Sequence, residues 1–135
     1  MNWKHRILFS MLALTVSAIL AGCVGYDNNY LRPEDFAAYL ERDGVKVEGT
    51  RSLPGDPFKA SGGCAVMVAG SEIGVYKYDR SAAVQEKRIN RISEKGRTYI
   101  QGIPFPVEVR GSFMFLGLEK HPEKRKILEV VDKFY

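Results

Sequence analysis

The sequence predicts an α+β domain: an antiparallel sheet built from a short strand and two β-hairpins, with about three helices packed on one face. Three observations carry this expectation. Residues 64–78 hold two strand-like apolar runs broken at Gly70-Ser71, and residues 107–118 hold two more broken at Arg110-Gly111. Apolar residues at helical spacing stand before, between and after these pairs.

The first helix is expected over Pro33 to Asp43. Pro33 suits a first helical position, Glu34 and Asp35 place negative charge in the first turn, and Gly44 can close the end. Phe36 and Leu40 share one face, with Ala37 beside them. Val45-Lys46-Val47 alternates as a short strand. Leu53-Pro54-Gly55-Asp56-Pro57 and Ser61-Gly62-Gly63 are breaks. Cys64 to Val68 and Ile73 to Tyr78 form the first hairpin, with Ile73 and Val75 on one side and Tyr76 and Tyr78 on the other.

A second helix is expected from about Ser81 to Glu94, with Asp79 or Ser81 as its N-cap and Gly96 as its stop. Ala82, Gln85, Ile89 and Ile92 lie along one helical stripe. Val107 to Val109 and Phe113 to Leu118 form the second hairpin, and Pro104 and Pro106 argue for an edge or an irregular approach to it. The last helix starts with Pro122 and carries Ile127, Val130, Val131 and Phe134 at i, i+3, i+4, i+7. Val66-x-Val68-x-Gly70-Ser71 recurs as Val107-x-Val109-x-Gly111-Ser112, which suggests a possible ββα repeat.

The N-terminus has a different organisation. Lys4, His5 and Arg6 form a basic head, Ile7 to Leu20 is a 14-residue apolar run, and small residues lead to Cys23. Basic, apolar, then small is the layout of a secretion signal. Fourteen residues make about 21 Å of helix, too short for a ~30 Å hydrocarbon core. Leu20-Ala21-Gly22-Cys23 resembles the lipobox of bacterial lipoproteins. That resemblance implies cleavage between Gly22 and Cys23, a covalent diacylglycerol on the Cys23 sulfur, and an N-acyl chain such as palmitate. The expected organisation is a removed signal at 1–22, a lipidated N-terminus and tether at 23–32, and one domain at 33–135. Val24 follows the cysteine where the aspartate of inner-membrane retention would stand, so in a host with two membranes the outer one is favoured.

Removing residues 1–22 leaves 113 residues with 18 basic and 16 acidic side chains. A net charge of +2 gives no support to nucleic-acid binding, and a body of this size supports one hydrophobic core. The folded part, from about Phe36 to Phe134, also resembles an uncharacterised group of small bacterial exported proteins and lipoproteins. Pro57-Phe58, Val68 to Gly70, Val75 to Tyr78, Ile92-Ser93 with Gly96, Arg110-Gly111 and the last helix carry that likeness. It implies no enzymatic activity.

The residues offer little catalytic chemistry. Cys64 sits in an apolar strand and reads as a buried hydrophobe. His121, the one histidine after the signal, reads as a solvated capping or loop residue. Ser71 and Ser112 follow glycines but belong to no nucleophile motif, and no phosphate loop or metal-ligand spacing appears. Lys87, Arg88, Arg91 and Lys95, and Lys124, Arg125 and Lys126, read as polar faces of two amphipathic helices and as possible contacts to an anionic surface. Of the pairs Tyr76/Tyr78 and Phe113/Phe115, one is expected under the helices and the other exposed.

The expected function is therefore a membrane-anchored envelope lipoprotein with a small non-catalytic binding or structural domain. Its partners would be membrane lipid through Cys23 and an envelope protein, with no cofactor. The alternatives are a binder of a small molecule or acidic envelope polymer in a sheet/helix cleft, and an unrecognised hydrolase.

Overall fold

In chain order the elements are α1 (Asp35–Arg42), β1 (Gly49–Leu53), a 3-10 turn (Asp56–Phe58), β2 (Gly62–Val68), β3 (Ser71–Lys77), α2 (Ala83–Lys95), β4 (Arg97–Ile100), β5 (Ile103–Arg110), β6 (Phe113–Leu116) and α3 (Lys124–Asp132). They come from a computed structural model that describes residues 27–135. The expected signal at 1–22, the expected cleavage and lipidation positions Gly22 and Cys23, and Val24 to Tyr26 lie outside the described residues.

The α+β class and the antiparallel sheet stand, with six strands in the order β1-β2-β3-β6-β5-β4 and every pairing antiparallel. The helices, however, do not share one face. Strand alternation gives the sheet two apolar sides, each with its own cover. Cys64, Val66, Ile73, Val75, Phe113 and Phe115 point to the side covered by α1 and α3. Tyr76, Tyr78 and Met114 point to the other side, where Ile89 and Ile92 of α2 meet them. The central strands β3 and β6 are therefore apolar on both faces, which demands helices on both.

The first layer is dominated by aromatic rings. Phe134 lies 4.8 Å from Phe113 and 5.2 Å from Phe36 between ring centroids, and Phe36 lies 4.8 Å from Phe115. All four are fully buried, and burial of each contributes roughly 2–3 kcal/mol. In the second layer the Tyr76 ring lies over Gly63 and Gly74, where an added Cβ would come within 2.9 Å of it. Both aromatic pairs are thus buried, and the expected exposed pair is absent: Tyr78 is 0% exposed and donates its hydroxyl to the Phe58 carbonyl at 2.8 Å.

Local chemistry explains the other departures. Val45 does not open a strand, because α1 ends in a Schellman turn that consumes it. Gly44 takes φ +81°, its N–H reaches Glu41 O, and the Val45 N–H reaches Leu40 O at 2.9 Å. The strand begins four residues later, at Gly49. β4 was not expected. Its partner β5 contains both prolines, and Val107 N–H donates to Gly96 O. By alternation the Pro104 and Pro106 nitrogens face away from β4, toward a flank where β6 has already ended at Leu116. Asp79 and Ser81 do not cap α2; Ala82 holds that position, and the Asp79 carboxylate accepts from the Ser81 N–H and hydroxyl instead.

Equivalent positions of the two similar hairpins face opposite sides. Val66 and Val68 pack toward α1 and α3, whereas Val107 and Val109 pack toward α2. The shared pattern is turn chemistry at Gly70 (φ +73°) and Gly111 (φ +57°), and the structure lends a ββα duplication no support.

Candidate functional surface

A dense network of hydrogen bonds among the described residues surrounds Asn28, in the stretch expected to be a tether. Asn28 is 1% exposed. Its amide nitrogen donates to Arg110 O at 3.0 Å and Phe134 O at 2.8 Å, and its amide oxygen accepts the Ser112 N–H at 2.8 Å. One side chain therefore ties the β5–β6 turn to the end of α3. Asn29 extends the knot. Its side-chain oxygen accepts from Arg80 N–H and the Ser112 hydroxyl, and its amide donates to Asp79. Lys77 Nζ donates to the Asn29 and Leu31 carbonyls, both at 2.6 Å. Hydrogen bonds from Ser81 and then Asn29 hold the Asp79 carboxyl below its usual pKa.

With Leu31 also in the core, the packed body includes Asn28 to Arg32 and does not begin at Pro33. Nothing local in Asp27-Asn28-Asn29-Tyr30 reports this. The partners lie 82 to 106 positions away, and an isolated Asn pair has no periodicity to read.

A collar of aromatic and arginine side chains surrounds the knot. The Tyr39 hydroxyl donates to Tyr135 O at 3.0 Å, the Arg42 guanidinium stands 4.7 Å over the Tyr39 ring, and that of Arg110 stands 5.3 Å from the Tyr135 ring. Arg110 also donates to Asp132 O, and Arg80 to Gly111 O. Desolvation, followed by the Tyr39 phenol at hand, raises the Tyr30 pKa. Tyr30 is 69% and Tyr135 47% exposed, and Tyr99 on β4 is exposed to a similar degree as Tyr135.

The basic residues singled out in the sequence lie elsewhere. Lys87, Arg88, Arg91 and Lys95 belong to α2 on one side of the sheet, while Lys124, Arg125 and Lys126 open α3 on the other. They do not form one patch. Arg88 reaches Lys59 O, and Lys126 stands 3.9 Å from Glu123. The far ends of the two helices approach each other at a cleft of about 340 Å³ lined by Gly96, Pro106, Glu108, Leu118, Glu119 and Lys124. Two carboxylates against one ammonium do not suit an acidic polymer.

Potential nucleophile and base are committed to structure. Cys64 is 1% exposed, and burial pushes its thiol pKa up. His121 is buried, not solvated. Its Nδ1 accepts the Glu123 N–H at 3.0 Å, which leaves Nε2 as the donor to Ser71 O at 3.2 Å. Val75, the partner of Cys64, lies four residues along β3 from Ser71, about 13 Å at strand rise. The two side chains do not form a pair. Among the described residues no group of three or more His, Cys, Asp or Glu could hold a metal ion, and no helix is long and apolar enough to cross a membrane.

Comparison with protein-family models, with curated proteins and with solved structures finds no match.

Proposed function

We propose that the chain is an exported lipoprotein, anchored through acyl chains on Cys23, whose body is a small non-catalytic binding or structural module of the cell envelope. The observation that carries this reading is Leu20-Ala21-Gly22-Cys23 at the end of a basic-then-apolar leader. The body fits a module held by its N-terminus: Asn28, five positions after Cys23, is fixed to it by three hydrogen bonds. The non-catalytic part is supported by how Cys64 and His121 are used, the first as apolar core and the second as a backbone cap. Val24 after the cysteine favours the outer membrane in a two-membrane host.

Mass spectrometry of the protein recovered from membranes tests this. A mature N-terminus at Cys23 bearing diacylglyceryl and N-acyl groups is expected, and Cys23→Ala should abolish incorporation of labelled palmitate. An unacylated N-terminus elsewhere would refute it.

A further inference from the structure

Resting on the lipid-anchor reading, we infer that the collar around Asn28, with Tyr30, Tyr135, Arg42 and Arg110 at its rim, is the face that lies on the phospholipid headgroups. Lys95 at the end of α2 and Lys124 to Lys126 at the start of α3 then lie away from the bilayer.

The geometry leaves little freedom. From Cys23 to Asn28 an extended chain spans at most about 17 Å. A body of this size has a radius of gyration near 13 Å, so it is roughly 30 Å across. The anchored end is shorter than the body is wide, and the body cannot swing its opposite pole to the membrane. The pole it presents is defined by the knot: the Arg80 loop, the Gly111 turn and the end of α3 all hydrogen-bond Asn28 or Asn29.

α3 runs about 13 Å away from that pole to reach Lys124, and α2 runs about 20 Å from Ala83 to Lys95. The cleft that joins Gly96 to Lys124 marks the opposite pole. Of the three exposed tyrosines among the described residues, Tyr30 and Tyr135 stand on this pole and Tyr99 on β4; a ring with a hydroxyl is favoured at the boundary between apolar tails and water, which suits the first two to this placement. Arg42, stacked on Tyr39, adds donors shaped for phosphate.

The test uses the full acylated protein in vesicles of phosphatidylethanolamine and phosphatidylglycerol carrying a gadolinium-chelating headgroup, read by amide NMR. Loss of amide intensity is expected at Arg80, Ser81, Gly111 and Tyr135, with Lys95 and Lys124 to Lys126 keeping theirs. Tyr30→Ser with Tyr135→Ser should leave acylation intact and restore part of the lost intensity around Gly111. Broadening centred on Lys95 or Lys124, or spread evenly over the body, overturns the inference while the anchor stands. A mass lacking acyl chains ends the anchor reading first, and this inference with it.

Discussion

Replacing Asn28 with alanine deletes the side chain that joins the two ends of the described chain. The Ser112 N–H and the Phe134 carbonyl lose their partner, and both residues are 0% exposed. A buried polar group left unpaired costs about 1–3 kcal/mol, so two such groups cost roughly 2–4 kcal/mol after local relaxation. For a body of about a hundred residues each kcal/mol moves the melting temperature by about 4–5 °C, which gives a fall of roughly 8–20 °C. Urea unfolding followed by the near-ultraviolet circular dichroism of the tyrosines measures the change, with an unaltered slope against denaturant. Asn28→Asp sharpens the experiment. It keeps an acceptor for Ser112 but sets a carboxylate oxygen against two carbonyl oxygens, so it should be at least as damaging at neutral pH and recover partly in acid, where the carboxyl carries a proton. A loss below about 0.5 kcal/mol for Asn28→Ala would show that residue 28 is not tied into the body.

Further outcomes are open to measurement. Burial pushes the Tyr78 hydroxyl up to about 12 from 10.0; a raised pKa means stability fully present below pH 10 and lost as pH climbs toward 12, by as much as roughly 3 kcal/mol. Tyr78→Phe should flatten that alkaline decline in a pH series of urea midpoints while costing about 1–3 kcal/mol at pH 7, because Phe58 O loses its donor. The Cys64 thiol should react with an aromatic disulfide reagent only as fast as the body opens, so rapid modification of folded protein at pH 8 would contradict its burial. Gly111→Ala and Gly70→Ala strain similar left-handed turns, yet the first also drives a Cβ into the Asn28 side chain while the second meets open space; Gly111→Ala should therefore be the worse by about 1 kcal/mol or more.

Legibility in the sequence followed the range of the signal. α3 could be read because Ile127, Val130, Val131 and Phe134 repeat at helical spacing within eight residues, and the two hairpins because Gly70 and Gly111 interrupt apolar runs. The distribution of helices could not. Met114 between Phe113 and Phe115 shows that β6 is apolar on both sides, but only pairing with β3 reveals that both sides need a cover. β4 escaped because Arg97 to Ile100 is short and its partner strand carries two prolines, permissible there only where no third strand runs alongside. The Asn28 knot was the least visible of all, since its partners are residues whose own local sequence suggests nothing but a turn and a helix end. His121 looked solvated for a related reason: a histidine beside lysine and proline gives no hint that β3 supplies a carbonyl to its ring.

The bond between Asn28 and Phe134 closes a loop of 106 positions, for which chain entropy alone charges roughly 4 kcal/mol. Until residue 134 has emerged, Phe36, Phe113 and Phe115 have no ring to seat between them, and the aromatic layer stays open. A polypeptide built this way is expected to complete its aromatic layer only after residue 134 is available. If it must be threaded through a narrow protein-conducting channel before it reaches its place of work, late closure keeps it slender for the passage and lets it set solid only on arrival.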